Sequence, residues 1–298
     1  MKSKYTSVMP SILAVLLFAL AAAVPTPARQ PSSKPIVIPP VAYDTSSPLV
    51  DMVAAASAKV ATGQGIIPMR FPPRSPAASL TGQDPALQTL TLPLVNTTPG
   101  LNFAGIGADG VAPPDTNGSV GNTQYVQITN VEYAVYSKTN GALILGPTPV
   151  HTIWSGFAGD CSSGDGGDVN VLYDKAADRW VVGQINVNDN AYCIAVSTTS
   201  DATGSYHRYE YSFGTYVPDY PKLGVWPDAY YFSANLFFLG SIFTGADPCA
   251  FDRATMLNGG PANTICIPQS SSVASLCPRT WTEARLPRAA SPTSTSNC

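Results

Sequence analysis

The sequence predicts an all-β chain built from repeated four-stranded units, and three observations carry that prediction. Three segments led by Asp115, Asp168 and Asp219 recur 53 and 51 positions apart. Each holds an Asp-led loop, a strand, a turn, an aromatic strand, a third strand, a Gly-containing turn and a fourth strand. Gly (24) and Pro (28) are abundant, and no run of three or four helical turns carries a capped apolar stripe. Four strands recurring every ~50 residues fit the blades of a β-propeller, here about three blades and so an incomplete ring. A β-sandwich also strings short strands at regular spacing and is the alternative.

Taken in order, residues 1–23 read as a signal peptide. Lys2 and Lys4 open it, Ile12 to Leu20 is its apolar core, and Ala21-Ala22-Ala23 supplies small residues for cleavage. The apolar run is shorter than the ~20 residues of a membrane span. The expectation is therefore a secreted protein, extracellular or periplasmic, without a membrane span after signal removal, in a space where disulfides persist. Residues 24–100 read as a disordered Pro/Ala-rich leader or linker, with Pro25, Pro27, Pro31, Pro35, Pro39 and Pro40 stiffening its start. Leu49 to Ala61 would form one short helix within it, and Thr89 to Val95 one edge strand.

Residues 101–268 form the repeat region. Tyr125-Val126-Gln127-Ile128, Trp180-Val181-Val182-Gly183 and Tyr230-Tyr231-Phe232-Ser233 have the β-branched and aromatic content of strands that pack face to face. Thr139-Asn140-Gly141 and Asp201-Ala202-Thr203-Gly204 supply turn chemistry. The stretches PPDTNGSVG, LYDKAADRWVVGQ, AVSTTSDATGSYHRY and DYPKLGVWPDAYY resemble a family of secreted bacterial β-propeller proteins, distantly similar to sialidase-type (BNR) propellers. The resemblance spans about Leu101 to Pro268. It implies the fold and export but no activity, since the Ser-x-Asp-x-Gly-x-Thr-Trp box of sialidases does not occur here.

Residues 269–298 break the pattern and read as an irregular tail. Leu276 to Cys298 has no alternation and carries Arg279, Arg285 and Arg288. Back-translation with GC-rich codons, read two bases along from Cys277, gives an Asp-Gly turn and a Pro/Gly loop that suit a continuing repeat. A frameshift near Leu276 is one expectation, and an ordinary disordered tail the other. Three blades do not close a ring, so the third would keep an open flank, completed in a longer protein or by homo-oligomerisation.

Of the six cysteines, Cys249 and Cys266 flank the last hairpin, and Cys161 lies in the loop leading to the unit that contains Cys193. The pairs Cys161–Cys193 and Cys249–Cys266 are expected, because no CxxC or Cys/His spacing suggests a metal.

Only 12% of residues are charged and the net charge is −3, without the basic stripe of a nucleic-acid binder. Asp160, Asp165 and Asp168 in GDCSSGDGGD have the hard-oxygen chemistry Ca²⁺ prefers, though not EF-hand spacing; a polar turn is the plainer reading. Asp115, Asp168 and Asp219 would gather near a central channel as acid/base carboxylates, or each would cap its own loop. His151 and His207 stand in different units, and no GxSxG, HExxH or phosphate loop occurs. Trp154, Trp180 and Trp226 suit packing, and Trp226 with Tyr230 would also serve as a sugar-stacking platform. Apart from Ca²⁺ no cofactor is implied. The function expected is an exported recognition or scaffold module for an extracellular glycan or protein. The alternative is a glycan-active hydrolase or lyase using channel-facing carboxylates.

Overall fold

A computed structural model describes residues 34–55, 100–186, 188, 190–280 and 296–297. The signal segment and the Thr89–Val95 strand lie outside the described residues. The described chain is all-β with two short helices, and its strands form antiparallel meanders. The first sheet is β3 (Asn117–Val120), β4 (Gln124–Ile128), β5 (Glu132–Ser137) and β6 (Leu143–Pro149). The second contains β7 (Asn170–Asp174), β8 (Arg179–Asn186), β9 (Ala191–Ser197) and β10 (Tyr206–Ser212). The third contains β11 (Tyr216–Val225), β12 (Tyr230–Phe238), β13 (Ile242–Phe251) and β14 (Thr264–Cys266).

The sheets stack in chain order, with one apolar core between each neighbouring pair. Val126, Ile128, Tyr133 and Val135 of the first meet Trp180, Val182, Cys193 and Ala195 of the second. Val181, Tyr192, Ile194 and Val196 of the second meet Tyr230, Phe232, Phe251 and Cys249 of the third. Successive side chains of a strand point to opposite faces, so the middle sheet is apolar on both. That is why its strands read as unbroken runs, WVVGQIN and YCIAVS, rather than alternating ones. Two expected turns are present. Gly141 sits at φ +74, and the Asp201 carboxylate accepts the Thr203 N–H (2.9 Å).

The leader is not a disordered linker over residues 34–55. Strand β1 (Ile36–Ile38) adds to β14 at the outer edge of the third sheet, and β2 (Ala42–Thr45) adds to β10 of the second. Helix α1 (Leu49–Ala55) then inserts Leu49 into the first core. The segment is a belt across the outer edges of the stack. Pro39 and Pro40 interrupt pairing between β1 and β2, where the chain crosses from one sheet to the next. Short strands bracketed by prolines are natural edge strands, and in composition they look like a linker. Arg208 of β10 fastens the belt with a two-pronged contact to Asp44 (2.7 and 2.6 Å).

Residues 269–280, expected as an irregular tail, have little regular structure but are held against the third sheet. The Gln269 N–H donates to the Ala246 carbonyl (2.9 Å), and the Ala246 N–H to the Val273 carbonyl (3.0 Å). Beyond them, β15 (Leu276–Cys277) packs on β11 and β12 and pairs with β16 (Ser296–Asn297). Gly224 and Gly245 make room for this segment. A Cβ on the first would strike the Arg279 carbonyl, and on the second the Gln269 carbonyl. Cys161 is bonded to Cys193, Cys249 to Cys266 directly across β13 and β14, and Cys277 is also disulfide-bonded.

Candidate functional site

The inner edge of the stack is formed by β3, β7 and β11, which touch in that order. Each carries a residue in the left-handed region, just before the strand in the first two and within it in the third: Asp115 (φ 44), Asp168 (φ 48) and Tyr220 (φ 55). Asp tolerates that conformation better than most residues, because its short side chain bonds nearby backbone. In the third unit the left-handed residue is Tyr220, one position after Asp219. A bulge between Asp219 and Lys222 in β11 shifts the register by that residue.

Side chains of one unit receive the backbone of the next. The Asn130 carbonyl oxygen accepts the Asp168 N–H (2.7 Å), while its amide nitrogen donates to the Asp115 carboxylate (3.0 Å) and the Pro113 carbonyl (2.7 Å). The Tyr220 N–H donates to the Asp168 carboxylate (2.8 Å). Asn117 accepts the Val171 N–H (3.1 Å), and Asn170 donates to the Pro221 carbonyl (3.3 Å). The result is an acidic rim at which Asp115, Asp168 and Asp219 come close enough for their charges to act on one another.

Burial pushes the Asp168 carboxyl up to about 7, and the neighbouring charges of Asp219 and Asp115 push the same way. The Tyr220 N–H opposes them. Lys222 faces all three aspartates. Burial lowers its pKa against their attraction, and its ammonium lies 3.5 Å from the centroid of the exposed Tyr220 ring. The rim thus offers clustered carboxyls, a cation and a partly exposed aromatic ring.

The Ca²⁺ reading of the GDCSSGDGGD loop is not supported by its geometry. Asp165 is committed to His151, accepting its backbone N–H (2.6 Å) and meeting its Nδ1 (2.8 Å). Asp160 opens a separate 3₁₀ turn, and Asp168 belongs to the rim. Among the described residues, the one group of three His, Cys, Asp or Glu side chains with ligand atoms mutually within 4.8 Å is Asp247, Cys249 and Cys266. Its two sulfurs are already joined in a disulfide.

Tyr230 is not a binding residue. It is fully buried, facing the second sheet, and its hydroxyl donates to Asp174 (2.9 Å). Trp154 and Trp180 are buried core residues as well. Trp226 is half-buried under the C-terminal segment, its indole N–H donating to the Arg279 carbonyl. The rim residues that sequence reading passed over are Asn130, Tyr220 and Lys222. A signal for the first was present: an Asn stands five or six residues after the leading aromatic (Tyr125, Trp180, Tyr230) in all three units, as Asn130, Asn186 and Asn235.

Compared with protein-family models, with curated proteins and with solved structures, the chain has no match.

Proposed function

We propose that the three stacked sheets are consecutive blades of an open β-propeller, and that the chain is an exported recognition module that binds at its acidic rim. The stacking in chain order around one inner edge supports the blade reading. The disulfides support export, since such bonds persist in oxidising compartments. The ligand class is an extracellular glycan or protein segment offering hydroxyls or a cation to the carboxylates and a flat face to Tyr220.

The observation that carries recognition over hydrolysis is that the rim carboxylates are tied to amides: Asp168 accepts the Tyr220 N–H (2.8 Å) and Asp115 the Asn130 side-chain amide (3.0 Å). This is the use of Asp as a loop-organising acceptor rather than as a free acid/base pair. The raised pKa of Asp168 favours the hydrolytic reading, because an acid near neutrality is a usable proton donor.

The test is migration of the full mature chain in native gels cast with individual soluble polysaccharides, alongside a reducing-end assay. At least one polysaccharide is expected to retard the chain without being cleaved, and Tyr220→Ala is expected to remove the retardation. Release of reducing ends that Asp168→Asn abolishes would replace this reading with the hydrolase.

A further inference from the structure

The third sheet ends on a face that resembles an interface already used twice. One cross-strand row runs over all five of its strands on the side away from the second sheet: Gly224, Tyr231, Ala250, Ile265 and Val37. The corresponding row of the second sheet, Leu172, Val181, Val196 and His207, is directed at the third sheet. In the third sheet's row, Gly224 is covered by the C-terminal segment, whereas Ile265 is 47% exposed and Val37 58%. The inner end of the row is therefore occupied and its outer end is open.

The covering segment obeys the rule of the inner strands. Ser275 is in the left-handed region (φ 51), as are Asp115, Asp168 and Tyr220, and it follows Tyr220 by 55 positions, close to the 53 and 52 that separate the earlier three. Its N–H donates to the Asn235 side-chain oxygen (2.8 Å), as the Asp168 N–H donates to Asn130. Asn235 and Asn130 hold the same sequence place, each five residues after the aromatic residue of its unit's motif, Tyr230 and Tyr125. After Ser275, β15 lies on β11 as β11 lies on β7 and β7 on β3.

We infer that residues 275–280 are the opening inner strand of a fourth unit, and that the exposed outer half of the third sheet's face is a docking surface for an outer β-hairpin of that same repeat type. The hairpin would lay an aromatic and aliphatic row over Tyr231, Ala250, Ile265 and Val37. The occupant is defined by the row it must cover, and the apolar face of β9–β10 (Tyr192, Ile194, Val196, Tyr209 and Tyr211), which in the intact chain packs on the third sheet, has that chemistry. Burying large apolar side chains on such a face is the main source of stability in face-to-face sheet packing. The docking surface stands apart from the ligand reading, since it lies at the opposite end of the sheet from the rim, whereas the fourth-unit assignment of residues 275–280 rests on the blade reading.

Two experiments on the full mature chain test it. In hydrogen exchange, the Ser275 amide is expected to be protected like that of Asp168. Asn235→Ala is expected to speed Ser275 exchange about tenfold, the loss of one hydrogen bond, without changing Asp168. Exchange over 275–280 at the rate of an unstructured peptide overturns the assignment. The docking surface is tested by fusing residues 191–212, carrying Cys193→Ala, to the C-terminus through a short flexible linker. The fusion is expected to melt at a higher temperature, and Ile265→Lys to remove that gain while leaving the unfused chain unchanged. A fusion that melts with the unfused chain overturns the docking surface. An unfused chain that is a discrete dimer split by Ile265→Lys overturns it too, by assigning the face to a second copy.

Discussion

Arg253→Ala is expected to cost about 3–5 kcal/mol of unfolding free energy, because it strands a buried charge. Asp174, at the end of β7, has no exposed surface. Its carboxylate accepts the Ala176 and Ala177 N–H groups (3.1 Å each), the Tyr230 hydroxyl (2.9 Å) and two nitrogens of Arg253 (2.6 and 3.1 Å). Arg253 also donates to the Pro227 carbonyl (3.0 Å). Removing the guanidinium leaves the carboxylate with neutral donors alone. Tyr230→Phe removes one hydrogen bond and should cost only about 1 kcal/mol. Urea unfolding of the three proteins measures the difference, and equal midpoints for Arg253→Ala and wild type would contradict it. The ion pair ties the second sheet to the third.

Leu49→Ala should cost about 2–5 kcal/mol, the range for emptying a fully buried leucine site. The number matters because of where Leu49 lies. A leucine in a disordered leader would be neutral on truncation, within about 0.5 kcal/mol. Here its side chain is buried in the first core, and its N–H donates to the Gly204 carbonyl (2.9 Å). A neutral result in urea unfolding would return residues 34–55 to the linker class. Val50, next to it but exposed, is the control and should tolerate alanine.

The period of the units was legible because it is written by local chemistry: left-handed aspartates, aromatic second strands and Asn-Gly or Asp-led turns. The cysteine pairs were legible for a related reason, since Cys249 and Cys266 bracket one hairpin. What was hidden depended on pairing at a distance. Nothing in PIVIPPVAYDT announces that Ile36–Ile38 and Ala42–Thr45 will add to β14 and β10, because an outer strand needs only an edge to join. Tyr230 and Tyr231 are adjacent, and which of them turns inward is settled by a register that the sequence alone leaves open. The bulge in β11 moved the third unit's left-handed residue from Asp219 to Tyr220, so the aspartate spacing was a good guide to the rim but not to its geometry. Ser275 carried no Asp signal, and the segment after it read as unpatterned although it packs on β11.

The claim that three successive units bring their aspartates to one rim is tested most directly by carboxyl-carbon NMR titration of Asp168. The sign is fixed by its raised pKa. The folded chain holds a proton that the unfolded chain releases near pH 4, so stability falls as pH rises from about 4 to about 7 and is level above. The account predicts an Asp168 midpoint near 7 that drops in Asp115→Asn, together with a stability profile that Asp168→Asn flattens. A midpoint near 4, indifferent to Asp115, would mean that the carboxyls do not act on one another and that there is no common rim.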